Sequence, residues 1–333
     1  MDQRLTLYAL AAKYQLDAAA TQKLRQLAEP EASAIASLLP RGMAIAAAAM
    51  FGLGLIFWIA ANWDTLGRTG HFVLLQSLCI LLCVAALGLA KARVPFCLLA
   101  LLSIGGLFAY FGQTYQTGAD PWQLFAVWGI LALPLCFSTQ SDVLWTPWAL
   151  VVSTGISLWI HAHTGHRWRF EQEDTRIFLL GWSSALLLTL ALSPKMPYLN
   201  AFRAQPNIHN LKGSGPWAFR TALTLSSVMI CSSAFTALLM HDASTLYYLG
   251  LLLFAIAAAA LVQPATFDIY GLSIISLCLN ILLVSGLTRL LFHDHSYGNF
   301  IGEVFLIGLV AAGLLAFTVS QLLRLSKRQA EAL

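Results

Sequence analysis

Long apolar segments separated by short polar connections occupy most of this chain. The first runs from Met43 to Ala61, and similar segments recur almost to the C-terminus. A helix needs about 20 apolar residues to cross a bilayer, whereas the strands of a membrane barrel alternate polar and apolar positions over about ten residues. The continuous segments therefore predict an all-α polytopic transmembrane helix bundle of about ten spans. The predicted spans are 42–62, 71–90, 94–112, 121–138, 143–162, 176–193, 217–240, 245–262, 268–290 and 301–323.

A polar segment precedes the first apolar one. Asp17 is suited to cap a short helix in this segment, and Glu29-Pro30-Glu31 interrupts it. Its acidic and basic residues balance, so it offers no basic surface for nucleic acid. We expect a cytoplasmic helical module over 1–39, a transmembrane bundle over 40–333, and no nucleic-acid partner.

Lysine and arginine are distributed unevenly between the two sets of predicted loops. With a cytoplasmic N-terminus, 14 of the 19 basic residues fall on the cytoplasmic side. Cytoplasmic loops carry the excess of such residues, so we expect both termini in the cytoplasm. The polar N-terminal segment lacks the apolar core of a cleavable signal peptide, which favours a bacterial inner membrane.

The composition agrees with a chain embedded in a lipid bilayer. Hydrophobic residues make up 59% of it and charged residues 10%, against roughly a quarter charged in soluble domains. The six cysteines all lie in apolar segments, where cysteine packs as a small hydrophobe, so no disulfide framework is indicated. Phosphate-binding glycine loops and common hydrolase motifs are missing from the sequence, which favours a non-enzymatic role.

Polar side chains concentrate at the predicted extracytoplasmic ends of the spans. Amides and carboxylates that meet there can line a pocket for a substrate or protons, although helix capping and hydrogen bonding between helices require the same residue types. A carboxylate one turn into the last span is costly in hydrocarbon and often has a functional role, although at this depth the side chain can also extend to the interface. The pocket candidates are Asn62, Asp64, Gln113, Tyr115, Gln116, Asp120 and Glu303.

Short histidine clusters suggest a different kind of site. Their spacing can hold Zn²⁺ or Cu²⁺ on a flexible loop, although histidines also occur at membrane interfaces without any metal. We expect no cofactor unless a divalent metal binds here. The candidate ligands are His161, His163, His166, His293 and His295.

Two segments resemble a known family. Residues 58–64 read Trp-Ile-Ala-Ala-Asn-Trp-Asp, and residues 111–120 read Phe-Gly-Gln-Thr-Tyr-Gln-Thr-Gly-Ala-Asp. Together with the polar N-terminus, they resemble the signatures of DUF2157, a family of predicted bacterial polytopic membrane proteins of unknown function. The resemblance covers roughly residues 1–135. It implies the architecture and hints at another multi-span protein as a partner, and it implies no catalytic residue.

Three functions remain open at this point. The first is a transporter-like or substrate-binding membrane protein with an outward-facing polar pocket. The second is a non-catalytic scaffold or assembly subunit for another membrane protein. The third is an enzyme acting on lipid-linked or periplasmic substrates, with His161, His163 or His295 as a general base.

Overall fold

The computed structural model describes most of the chain. The described residues are 10, 12–15, 17, 20–21, 32–61, 63–115, 120–165, 172–193, 214–239, 245–264, 266–292 and 300–331.

Ten long α-helices make up nearly all of the described part, which contains no strand. A kink at Gly67, where φ is +62°, divides the second helix, and short 3₁₀ turns precede the third and the sixth. The helices are α1 (Ala32–Ala61), α2 (Trp63–Gly88), α3 (Arg93–Tyr115), α4 (Pro121–Thr139), α5 (Asp142–His163), α6 (Thr175–Leu192), α7 (Pro216–Leu239), α8 (Thr245–Val262), α9 (Ile269–Phe292) and α10 (Phe300–Glu331).

The chain forms two compact units, Met1–Asn62 and Trp63–Leu333. The first contains α1, whose described apolar stretch, Gly42–Gly54, is shorter than a full span. The predicted module over 1–39 lies mostly outside the described residues and stays a prediction. The second unit contains α2 to α10.

The polytopic helical fold predicted from the apolar segments is confirmed. Among the described residues, nine helices, α2 to α10, are long and apolar enough to cross a membrane. Each coincides with one of the predicted spans from 71–90 onward, within a few residues at most ends. The first predicted span, 42–62, overlaps α1, and its crossing of the membrane stays a prediction.

Helix α7 lies at the centre of the second unit, where it packs against α5, α6, α8 and α9. Ala218, Ala222 and Ala234 on α7 are fully buried. A Cβ atom on Gly250 of α8 would lie 2.9 Å from that of Ala234, so the two backbones approach closely. Small residues permit such contacts between membrane helices, whose packing relies on van der Waals contact.

Polar contacts join the helices at one end of this unit. The carboxylate of Asp142 accepts hydrogen bonds from the backbone N–H groups of Gly215 (3.1 Å), Trp217 (2.9 Å) and Ala218 (2.9 Å). Arg220 on α7 lies 4.0 Å from Asp268, which precedes α9. The starts of α5, α7 and α9 therefore lie at the same end, and the C-terminus of α5 lies roughly 30 Å away along its axis.

Helix α10 is held to α9 by a polar pair within the spans. The amide of Asn280 donates to Thr318 Oγ1 at 3.0 Å. Asn280 is a residue that would be costly to leave facing hydrocarbon, and the hydrogen bond to a neighbouring helix satisfies part of its requirement.

Candidate functional site

The predicted pocket residues near the end of α3 have different surroundings. Gln113 and Tyr115 are exposed in the last turn of α3, and Asp120 is half-buried just before α4. The Asp120 side chain makes no capping hydrogen bond to α4, so capping does not account for this carboxylate. Its backbone carbonyl instead accepts the N–H of Gln123 at 3.0 Å.

For most of the other pocket candidates, the structure does not describe the side chain. Asn62, Gln116 and the side chain of Asp64 lie outside the described residues. Glu303 is half-buried in the first turn of α10. The predicted pocket therefore stays a prediction.

A buried histidine joins α2 to α3 beside the second sequence signature. His71 and Tyr110 are 3% and 5% exposed, and the Tyr110 hydroxyl lies 3.2 Å from His71 Nδ1. The ring of Phe72 packs against Tyr110 with a centroid distance of 4.8 Å, and it also contacts the rings of Phe111 at 6.4 Å and Tyr115 at 5.6 Å. The sequence gives no signal for His71, because it is a lone histidine that belongs to no cluster.

The first histidine cluster divides between two sides of α5. His161 and His163 are two residues apart on a helix, which places their side chains about 200° apart around its axis. His161 faces α7, whereas the ring of His163 lies 4.5 Å from Trp159 and 6.0 Å from Trp122.

The metal prediction remains untested. His166, His293 and His295 lie outside the described residues. Within the part of the chain that the structure describes, no group of three or more His, Cys, Asp or Glu side chains is arranged to hold a metal ion.

A cavity of about 770 Å³ lies between α5 and α7, with Phe178 of α6 at its edge. We call it the hydroxyl groove. This volume is within the range of ligand-binding sites, about 300–1,000 Å³. Leu150, Leu158 and Val228 supply apolar surface, and His161 contributes an imidazole. The hydroxyl-bearing residues that line it are Ser153, Thr154, Ser157, Thr164, Ser232, Ser233 and Thr236.

The hydroxyl groove presents hydrogen-bond acceptors to a ligand. Thr154 donates to the Leu150 carbonyl at 2.8 Å, and Thr236 donates to the Ser232 carbonyl at 2.8 Å. Ser157 likewise donates to the Ser153 carbonyl of its own helix at 3.1 Å. Since each hydroxyl has one proton and two lone pairs, these side chains retain acceptor capacity after that bond is made. The groove therefore suits a ligand that carries donors, such as hydroxyl or ammonium groups.

A second cavity, of about 490 Å³, lies between α4 and α5 near α6. We call it the tryptophan groove, after Trp122, Trp148 and Trp159 in its walls. The other lining side chains are almost entirely apolar. Gly129 and Gly155 lie where the two helices approach, because a Cβ atom on either would come within 3.3 Å of the opposite helix.

Two stripes of residues on α5 are a sequence signal for the two grooves. Positions 153, 157, 161 and 164 are polar and recur at helical spacing, so they form one stripe on α5. Positions 148, 152, 155 and 159 form a second stripe, with tryptophan at both ends. A stripe predicts a shared face, and only the structure shows which helix lies opposite it.

The N-terminal part of the chain matches the sequence model of one protein family. The model of this family, described as predicted membrane protein (DUF2157), matches residues 8–145, which confirms the resemblance noted from the two signatures. The match ends in the first turn of α5, before the α5 residues of either groove. No curated protein and no solved structure matches the chain. Over residues 8–145, this multi-span helical membrane protein thus carries the sequence pattern of a family of predicted membrane proteins of unknown function.

Proposed function

We propose that this protein binds an amphiphilic molecule in the hydroxyl groove, as a substrate-binding membrane protein of the transporter type. The observation that carries the proposal is a cavity of about 770 Å³, within apolar membrane-spanning helices, lined by hydroxyl groups and an imidazole. Lipid tails alone cannot form hydrogen bonds with such a surface. A ligand with a polar, donor-bearing head and an apolar tail matches both kinds of wall.

The depth of the groove supports an amphiphile over a small polar solute. Its residues on α5 and directly after it extend from Leu150 to Thr164, mainly along the C-terminal half of the helix. His161 lies in the last turn of α5, and Leu150 lies about 16 Å further along the axis. We therefore infer that the head binds near His161 and that the tail extends toward Leu150.

The orientation of the helices in the membrane determines from which side the ligand enters the hydroxyl groove. The excess of basic residues in the loops favours both termini in the cytoplasm of a bacterial cell. The end of α5 that carries His161 then faces the extracytoplasmic side of the inner membrane, so the ligand enters from that side.

A binding measurement with two probes tests the proposal. In nanodiscs, a fluorescent monoacylglycerol, which has two free hydroxyl donors, should bind saturably, and a fluorescent fatty-acid methyl ester, which has none, should bind more weakly. Exchange of Ser157→Leu together with Ser232→Leu should weaken monoacylglycerol binding by roughly tenfold, since two acceptors are lost.

The matched control is Ser183→Leu, which changes an exposed serine that bonds to the Leu180 carbonyl on α6 and does not line the hydroxyl groove. This variant should bind monoacylglycerol like the original protein. Equal binding of monoacylglycerol by the double variant and the original protein would contradict the proposal, as would the absence of saturable binding.

A further inference from the structure

We propose that the tryptophan groove binds one acyl chain of a diacyl phospholipid, and that the ester carbonyl of that chain accepts a hydrogen bond from the indole N–H of Trp122. The site is separate from the hydroxyl groove, because it lies between α4 and α5 and shares no lining residue with it. It therefore does not depend on the function proposed above.

The shape and chemistry of the groove suit a hydrocarbon chain. Its cavity of about 490 Å³ has no charged side chain in its walls. Ile130 and Leu180 at its border are 65% and 57% exposed, so the groove opens at the surface of the second unit. Both belong to helices that are long and apolar enough to span a membrane, and the surface around the opening is therefore apolar as well.

One hydrogen-bond donor in the groove lacks an acceptor. Trp148 Nε1 donates to the Gly129 carbonyl at 2.8 Å, which fixes that ring in the wall. Trp122 Nε1 is buried and has no hydrogen-bond partner. An unsatisfied buried donor is unfavourable, so an occupant that supplies an acceptor at this point gains affinity. Trp145 Nε1 is also buried without an acceptor, but Trp145 does not line this groove.

The position of Trp122 along its helix identifies the acceptor. It is the second residue of α4, directly after Pro121, and therefore lies at the end of a membrane-spanning helix. Tryptophan at this depth lies in the interfacial region, with its apolar body in hydrocarbon and its N–H toward polar groups. The ester carbonyls of a glycerolipid lie between its tails and its headgroup. A chain in the apolar groove would thus bring a carbonyl to the level of Trp122.

The rings at the mouth of the groove hold this indole in place. His163 packs against both Trp122 and Trp159, and its Nδ1 lies 2.8 Å from the Trp159 carbonyl oxygen. Since no charged residue lines the groove, recognition should depend on the ester linkage and not on the charge of the headgroup.

The test compares two lipids that differ only in the ester carbonyls. Purified, delipidated protein is titrated with a diacyl phosphatidylcholine and with its dialkyl ether analogue of equal chain length, and bound lipid is counted by native mass spectrometry. The original protein should bind one diester lipid roughly fivefold more tightly than the diether. Trp122→Phe should remove this preference by weakening diester binding to the diether level. Diacyl phosphatidylglycerol should bind as tightly as the phosphatidylcholine.

Two further variants make the result specific to the groove. Trp217→Phe changes a tryptophan that is 65% exposed at the start of α7, and it should keep the ester preference. Ala126→Leu adds side-chain volume inside the groove and should weaken both lipids. Equal binding of diester and diether by the original protein overturns the proposal, and so does an ester preference that survives in Trp122→Phe.

Discussion

Single residues in this protein fix how closely its helices approach, and the contact between α8 and α9 shows this directly. The hydroxyl of Tyr247 on α8 donates to the Leu282 carbonyl on α9 at 2.9 Å. It reaches that carbonyl because Gly286 has no side chain, and a Cβ atom at position 286 would collide with the hydroxyl. The missing side chain at Gly286 is therefore what allows the hydroxyl to reach this carbonyl, which also accepts the backbone N–H of Gly286 within the helix.

Substitution at two glycines should have opposite effects. Gly286→Ala should displace the Tyr247 hydroxyl and lower the free energy of unfolding by about 1–3 kcal/mol, because this buried hydroxyl then loses its acceptor. Gly308→Ala, in α10, should raise it by about 0.4–1 kcal/mol, because alanine favours the helix and nothing lies within 4 Å of the added carbon. Denaturation in mixed micelles of increasing dodecyl sulfate content measures both. Equal changes in the two variants would show that the Tyr247 contact does not matter.

Contacts between individual side chains could not be predicted from the sequence. The spacing of His161 and His163 does not show whether they lie on a loop or on a helix, and the structure places both on α5, with their side chains on different sides of it. A loop would have allowed them to converge. Asp142 shows the same limit, because its hydrogen-bond partners lie more than 70 residues away in the sequence.

At the scale of elements, the start of α7 depends on a carboxylate from another helix. Backbone N–H groups in the first turn of a helix have no partner within it and carry partial positive charge. Asp142, the first residue of α5, accepts three N–H groups at the start of α7 and thus caps a helix other than its own. The same contact joins the turn between α4 and α5 to α7, the most central helix.

Graded substitution of Asp142 tests this cap. Asp142→Ala should lower the melting temperature in detergent by roughly 2–8 °C, since three charge-assisted hydrogen bonds are lost. Asp142→Asn keeps one acceptor oxygen and should have a smaller effect. Glu173→Ala, which removes an exposed carboxylate before α6, is the control and should leave the melting temperature unchanged. If Asp142→Ala melts like this control, the cap contributes nothing to stability.

For the whole molecule, the apolar segments predicted nine helices well because the bilayer imposes one requirement on every span. Each must bury its backbone hydrogen bonds within itself over about 20 apolar residues, so hydropathy alone locates it. The last helix ends later than its predicted span, at Glu331 in place of 323, because a helix continues into its charged segment after the hydrocarbon ends. Hydropathy does not locate the two grooves in the same way. They form where α5 packs against α4 and against α7, and this packing joins segments that can be far apart in the sequence.

The orientation of the whole bundle is the property on which the proposed ligand entry depends. Because Asp142 contacts the start of α7, the turn at Gln140 and Gly215 lie at one end, and Gly165, just after α5, lies at the other. Alkaline phosphatase, which is active only outside the cytoplasm, should be active when fused after Gly165 and inactive after Gln140. A fluorescent protein at the N-terminus should fluoresce in the cytoplasm, provided that α1 crosses the membrane. Activity after Gln140 would invert the bundle and place the His161 end in the cytoplasm. A non-fluorescent N-terminal fusion with the other two results unchanged would mean that the chain crosses nine times, with α1 on the outer side.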